Sequence, residues 1–359
     1  MIDVHVHLRD GALSAKETIE HGLEVAASCG ITALFDMPNT VPTLTTAEAI
    51  EERLAYGDKI AQRLGKKLGK KLFYGVYGGV TADMDQLAAL VDLYGKMHPS
   101  MVGLKMFAGH STGNMGLVQE ELQLAVYRNL HSCGYRGVLA VHCEKESLMR
   151  GSLWDPAKPE THGLARPVEA EVASVSDQIA AVRESGFEGT LHICHISTAG
   201  AIALVKAARA EGMRITCGAT AHHALLNDEQ AKTPGNLCKM NPPLRGEEDR
   251  KAVFEGLCSG DIDWIESDHA PHTISDKHEG ASGIPGFAGT ALLLRSLYAS
   301  GVDEKQMSRL CGERAKEVYG FDWPITIPPL AQLESVLPSL RDAYPWDPFS
   351  SINLFHPMS

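Results

Sequence analysis

The 359-residue chain carries 33 Lys and Arg against 45 Asp and Glu, a formal charge of −12 with neutral histidine, which removes the electrostatic reason to bind nucleic acid or an anionic membrane. At 44% hydrophobic and 22% charged residues the composition is that of a globular protein, and no run of about 18 apolar residues is available to cross a bilayer. The length allows two or three domains, or one large α/β barrel with an appendage.

In chain order, β-rich runs fall at 3–8, 32–38, 72–78, 102–108, 138–144, 190–196, 214–220 and 262–270. Stretches with helical periodicity separate them, and this alternation predicts parallel βα units. Eight units match the size of a (β/α)8 TIM barrel, with an open doubly wound sheet as the alternative. Ser14 with Glu17 and Thr45 with Glu48 fit the capping box that starts a helix. Val172, Val175, Ile179 and Val182 keep an apolar stripe at three-to-four spacing, which predicts a barrel-facing helix. No internal repeat or Gly-rich phosphate loop is present. Beyond residue 320 seven prolines crowd the chain, Pro324, Pro328, Pro329, Pro338, Pro345, Pro348 and Pro357. Residues 1–320 are therefore expected to form the barrel, and 321–359 an irregular extension with one short helix packing on it.

The eight cysteines stand singly without a CxxC pair, which suggests neither a zinc knuckle nor a disulfide framework. The first seven residues have neither the basic nor the apolar region of an export signal, so a cytoplasmic location is expected.

The sixteen histidines are the informative feature. His5 and His7 lie two apart on the first predicted strand, so both imidazoles point to the same side. Lys105 on strand four, His142 and His195 at the ends of strands five and six, and Asp268 at the end of strand eight fall at equivalent places. Each alone is an ordinary structural residue; four histidines, a lysine and an aspartate on one rim of one barrel predict a metal centre. A desolvated lysine amine can add CO2 to become a carbamate, an anion with two oxygens able to bridge two cations.

The motifs His5-Val6-His7-Leu8-Arg9-Asp10-Gly11, Asp36-Met37-Pro38-Asn39-Thr40, Gly103-Leu104-Lys105-Met106-Phe107, Val141-His142-Cys143-Glu144, His192-Ile193-Cys194-His195, Met240-Asn241-Pro242-Pro243-Leu244-Arg245 and Ser267-Asp268-His269-Ala270-Pro271-His272 resemble those of the amidohydrolase superfamily and, within it, the dihydroorotase family. The resemblance runs from residue 3 to about 320 and implies a cytoplasmic zinc enzyme interconverting carbamoyl aspartate and dihydroorotate. It implies that His5, His7 and Asp268 hold one Zn2+, that His142 and His195 hold a second, and that carbamylated Lys105 bridges them. Arg9, Asn39 and His272 match positions that grip the substrate carboxylate. Asn241 and the turn 283–286, with Gly286, match positions that line the ring. Asp268 is the implied general base and acid.

The loop 109–116 joins three glycines to Ser111 and Thr112 and is similar to a hydroxyl-bearing loop that closes over substrate in short relatives. No flanking β-sandwich is expected, and a structural, hydrogen-bonding role is expected for His222 and His223. The expected partners are the small-molecule substrate and a second copy of the chain, as a homo-oligomer, a dimer; neither nucleic acid nor membrane is expected. Hydantoinase, dihydropyrimidinase and allantoinase are the enzymatic alternatives, and Arg9 with Asn39 and His272 discriminates against them. A non-catalytic scaffold homologue is expected to lose ligands, and none is missing.

Overall fold

Runs that are apolar on both faces can be buried only where helices cover a parallel sheet on the outside and side chains fill it inside. The structure, a computed structural model, describes residues 1–110 and 115–350. Its strands are β1 (Ile2–Val6), β2 (Ala33–Asp36), β3 (Phe73–Gly79), β4 (Met101–Ala108), β5 (Val138–Cys143), β6 (Thr190–Ile193), β7 (Ile215–Ala219) and β8 (Trp264–Ile265). They pair in sequence order and all in parallel. The seam closes through a bridge between Val6 and His269, with the His7 N–H donating to the His269 carbonyl at 2.8 Å. This is the expected (β/α)8 TIM barrel.

The strands end sooner than the sequence suggests. β6 stops at Ile193 and β8 at Ile265, so His195 and Asp268 lie beyond their strands. Both have positive φ, 36° and 44°, a region that costs a non-glycine residue about 1 to 3 kcal/mol and persists where function requires it. Among the described residues the other two non-glycine positions of this kind are Arg9 and Asp10. All four sit at the C-terminal mouth, where barrels of this type build their sites.

The helix starts also differ from the expected capping boxes. Thr18 caps Ile19–Ser28, its Oγ accepting from the His21 N–H, and Thr46 caps Ala47–Leu68 through the Ala49 N–H. Glu17 is drawn away from a capping role because its carboxylate is buried against His269 and Tyr344. Thr45 instead pairs with the Thr43 hydroxyl at 3.4 Å, while Glu48 is exposed. The helix Val168–Ser185 buries Val175, Ile179 and Val182 as the stripe predicts. Phe35 packs edge to face with Phe73, Tyr319 and Phe321, Trp323 stacks on Phe321, and together they close the opposite, N-terminal end.

Past residue 320, the helix Leu330–Asp342 packs on Phe287–Ala299. The segment after it runs toward the mouth. Tyr344 donates to Glu17 at 2.7 Å, and the Trp346 indole N–H donates to the His272 carbonyl at 3.4 Å. All eight cysteines are free thiols. Among the described residues no helix is long and apolar enough to cross a membrane.

Candidate active site

Alternation along β1 sends Val4 and Val6 into apolar packing and leaves His5 and His7 on the face toward the mouth. His5 Nε2 lies 3.4 Å and His7 Nε2 3.1 Å from Asp268 Oδ1, and ligand atoms of all three residues fall within 4.8 Å of one another. A second pair adjoins them: His142 Nδ1 is 3.1 Å from His195 Nε2, and the His5 and His195 rings lie 5.1 Å apart.

Neighbouring groups decide which nitrogen of each ring faces inward. His7 donates through Nδ1 to Asn39 Oδ1 at 2.8 Å, and His142 through Nε2 to Glu144 Oε2 at 2.8 Å. A neutral imidazole has one N–H, so the inward nitrogens carry lone pairs. In the first group the His7 Nε2 lone pair therefore faces the Asp268 carboxylate across 3.1 Å, an arrangement that a cation relieves. His195 Nδ1 is buried without a hydrogen-bond partner. Burial holds the pKa of His7 down to about 4 and that of His195 well below its ordinary value, keeping both rings neutral as ligation requires. Burial pushes the Asp268 carboxyl up, but its closeness to the imidazoles of His7 and His5 outweighs this and holds it below the usual carboxylate range. This donor set fits divalent metal.

Lys105, on β4, is fully buried. Its Nζ donates to Cys194 Sγ at 3.1 Å and stands 5.0 Å from the Phe107 ring centre. No carboxylate lies within ion-pair distance of it among the described residues. Burial raises the Cys194 thiol, while Lys105 and His5 lower it more, to about 5.

On the other side of the mouth, Arg9 is buried with Nη2 3.5 Å from His272 Nε2, and its Nε has no hydrogen-bond partner. His272 Nε2 donates to the Ser282 carbonyl at 2.9 Å, and the Ser282 hydroxyl donates to Asn241 Oδ1 at 3.1 Å. The cleft between the histidines and this wall is lined by Arg9, Asn39, Phe107, Asn241, Ser282 and Gly283, among others. Gly283 has φ +134°, and a Cβ there would stand 2.4 Å from the Ala270 carbonyl oxygen, so only glycine fits.

Of the residues that the sequence singles out, His5, His7, Arg9, Asn39, His142, His195, Asn241 and Asp268 converge on one cleft. Gly286 stands behind it, capping Phe287–Ala299 and donating its N–H to His269 Nδ1 at 3.1 Å. Ser111 and Thr112 lie outside the described residues. His223 bonds Thr220 Oγ at 2.8 Å and the Pro242 carbonyl at 3.0 Å, whereas neither ring nitrogen of the buried His222 has a hydrogen-bond partner.

Sequence reasoning missed Glu144, Glu266 and Ser282. Glu266 holds His192 Nε2 at 3.1 Å and accepts from the His195 N–H. Glu144 is held to about pKa 2, because Arg166 and His142 outweigh the upward push of burial. Both acids lie two residues from a singled-out ligand, a period-two signal that was available.

The histidine and carboxylate cluster at the C-terminal mouth of the barrel is a candidate metal-dependent active site. A family model described as Dihydro-orotase-like matches residues 1–63. The chain is 32% identical over 332 residues to the dihydroorotase of Halobacterium salinarum, covering 90% of this chain and 72% of that protein. It is 31% identical over 301 residues to that of Halalkalibacterium halodurans, covering 83% and 66%. The L-hydantoinase (dihydropyrimidinase) of Arthrobacter aurescens superposes with a TM-score of 0.79 at 22% identity, over 92% of this chain and 72% of that one, a likeness of fold. The chain belongs to the dihydroorotase family, and spans two thirds to three quarters of the length of these relatives.

Proposed function

We propose that the protein reversibly hydrolyses L-dihydroorotate to N-carbamoyl-L-aspartate, as a cytoplasmic enzyme of pyrimidine synthesis that works as a homodimer. One observation carries the choice among cyclic amides. The buried Arg9, its Nε unpaired, stands beside Asn39 and His272 across the cleft from the metal-capable cluster. A desolvated guanidinium fork suits a carboxylate, which dihydroorotate carries and hydantoin and dihydrouracil lack.

His5, His7 and Asp268 would hold one Zn2+, His142 and His195 a second, with Lys105 as its carbamate between them. A bound pair of zinc ions lowers the pKa of water toward neutrality and polarises a carbonyl. The remaining work belongs to the chain. The Asp268 carboxylate, held ionised by its histidine neighbours, accepts the proton of the attacking water and returns it to the leaving amide nitrogen. Arg9 and Asn39 fix the substrate carboxylate beside His272, whose Nε2–H is held by the Ser282 carbonyl, and Asn241, with Gly286 behind it, sets the wall against which the ring lies. Ser111 and Thr112, by their hydroxyl chemistry, would serve as donors to the bound anion. Asn39 and Glu144 orient His7 and His142.

The test is turnover of L-dihydroorotate by the purified, zinc-loaded protein against hydantoin and dihydrouracil. Preference for dihydroorotate is expected; preference for either uncharged ring overturns the reading.

A further inference from the structure

Lys277 lies on the short helix Ile274–His278, outside the metal cluster, and its side chain is completely buried. An ammonium has three N–H donors and accepts nothing. Here each donor is used on the main chain: Nζ donates to the carbonyls of Lys239, Ala281 and Gly283, each at 2.8 Å. The Trp346 ring, from the C-terminal segment, covers the same group at 5.2 Å. No carboxylate lies within ion-pair distance of Lys277 among the described residues. A buried, unpaired cation is costly, and a methionine would fill the volume without that cost. Burial pulls the Lys277 pKa down to about 7, and the three carbonyl bonds are what hold the group in place.

Those carbonyls belong to the substrate wall. Ala281 and Gly283 flank Ser282, and Lys239 precedes Asn241 by two residues. Ser282 in turn accepts from His272 at its carbonyl and donates to Asn241 through its hydroxyl, while the Gly283 N–H donates to the Lys239 carbonyl at 3.0 Å. We propose that Lys277 is a positioning residue: its buried ammonium clamps the 281–283 segment to Lys239 and so sets where Asn241, His272 and Ser282 meet the substrate. It touches neither metal ligands nor the reacting bond, so its effect falls on substrate binding.

The inference rests on the dihydroorotase reading for its kinetic test, and a second readout is independent of that reading. In zinc-loaded Lys277→Met, KM for L-dihydroorotate is expected to rise tenfold or more, with kcat within threefold and zinc per chain unchanged. Amide exchange across 279–286 is expected to accelerate at least tenfold while the barrel strands keep their protection. Lys277→Gln, which keeps two donors, should lie between the two; it serves alone where the Met variant does not fold. In the unaltered protein the Gly283 amide is expected to exchange at least a hundredfold slower than in an open chain. Unchanged KM and exchange, a parallel fall in kcat and zinc content, or an unprotected Gly283 amide would each overturn the clamp. An unaltered protein inactive on dihydroorotate overturns the reading alone, and the exchange result then decides on the clamp.

Discussion

His7 Nε2 and Asp268 Oδ1 meet at 3.1 Å across 261 positions of chain, beside the Val6–His269 bridge that closes the barrel. The closing seam and the candidate metal centre therefore share residues. Asp268→Asn keeps the size of the side chain and removes its negative charge. Turnover should fall by about a thousandfold, within the range for a lost general acid–base group, with zinc content below that of the unaltered protein. Circular dichroism should show the barrel intact.

Lys105 is expected to need its carbamate, because an ammonium ion among two zinc ions is repelled while a carbamate is attracted. Lys105→Ala should lose both metal and activity. Two zinc ions per chain with near-normal turnover in this variant would refute the bridging role.

Arg9 is expected to set substrate class. Loss of one desolvated charge contact to a carboxylate costs about 2 to 5 kcal/mol, so Arg9→Met should lower kcat/KM for dihydroorotate by a corresponding factor. Activity on uncharged rings should change far less. Equal losses on both kinds of substrate would remove the carboxylate assignment.

Glu17 gives a pH dependence. Burial raises its carboxyl, but bonds from His21 and His269 outweigh this and hold it at about 2, below the usual carboxylate value near 4.3 in an unfolded chain. The stabilisation, about 3 kcal/mol, is present above the unfolded value and is lost as pH falls toward 2. Denaturant titrations should show Glu17→Gln losing about 1.5 kcal/mol less stability than the unaltered protein between pH 5 and pH 3. An identical loss in both proteins would contradict the assignment.

The barrel and half of the site are readable from sequence for the same reason. Buried parallel strands are apolar runs, and a polar residue within one, such as His5 or Lys105, stands out. His142 and His195 are visible because strand ends in a barrel converge. Lys277 is invisible, since its three partners are main-chain carbonyls without a side-chain signature. Tyr344 and Trp346 look like tail residues, and only the fold brings them to Glu17 and His272. The first helix cap falls at Thr18 because tertiary contacts claim Glu17, a competition that local pattern cannot register.

The central claim is a zinc centre that opens a carboxylate-bearing cyclic amide. Its most direct test measures zinc per chain and L-dihydroorotate hydrolysis on one preparation, before and after chelation. Two zinc ions per chain are predicted, with hydrolysis abolished by their removal and restored by their return. Full hydrolysis by the zinc-free protein, or none by a protein holding two zinc ions, would contradict the account.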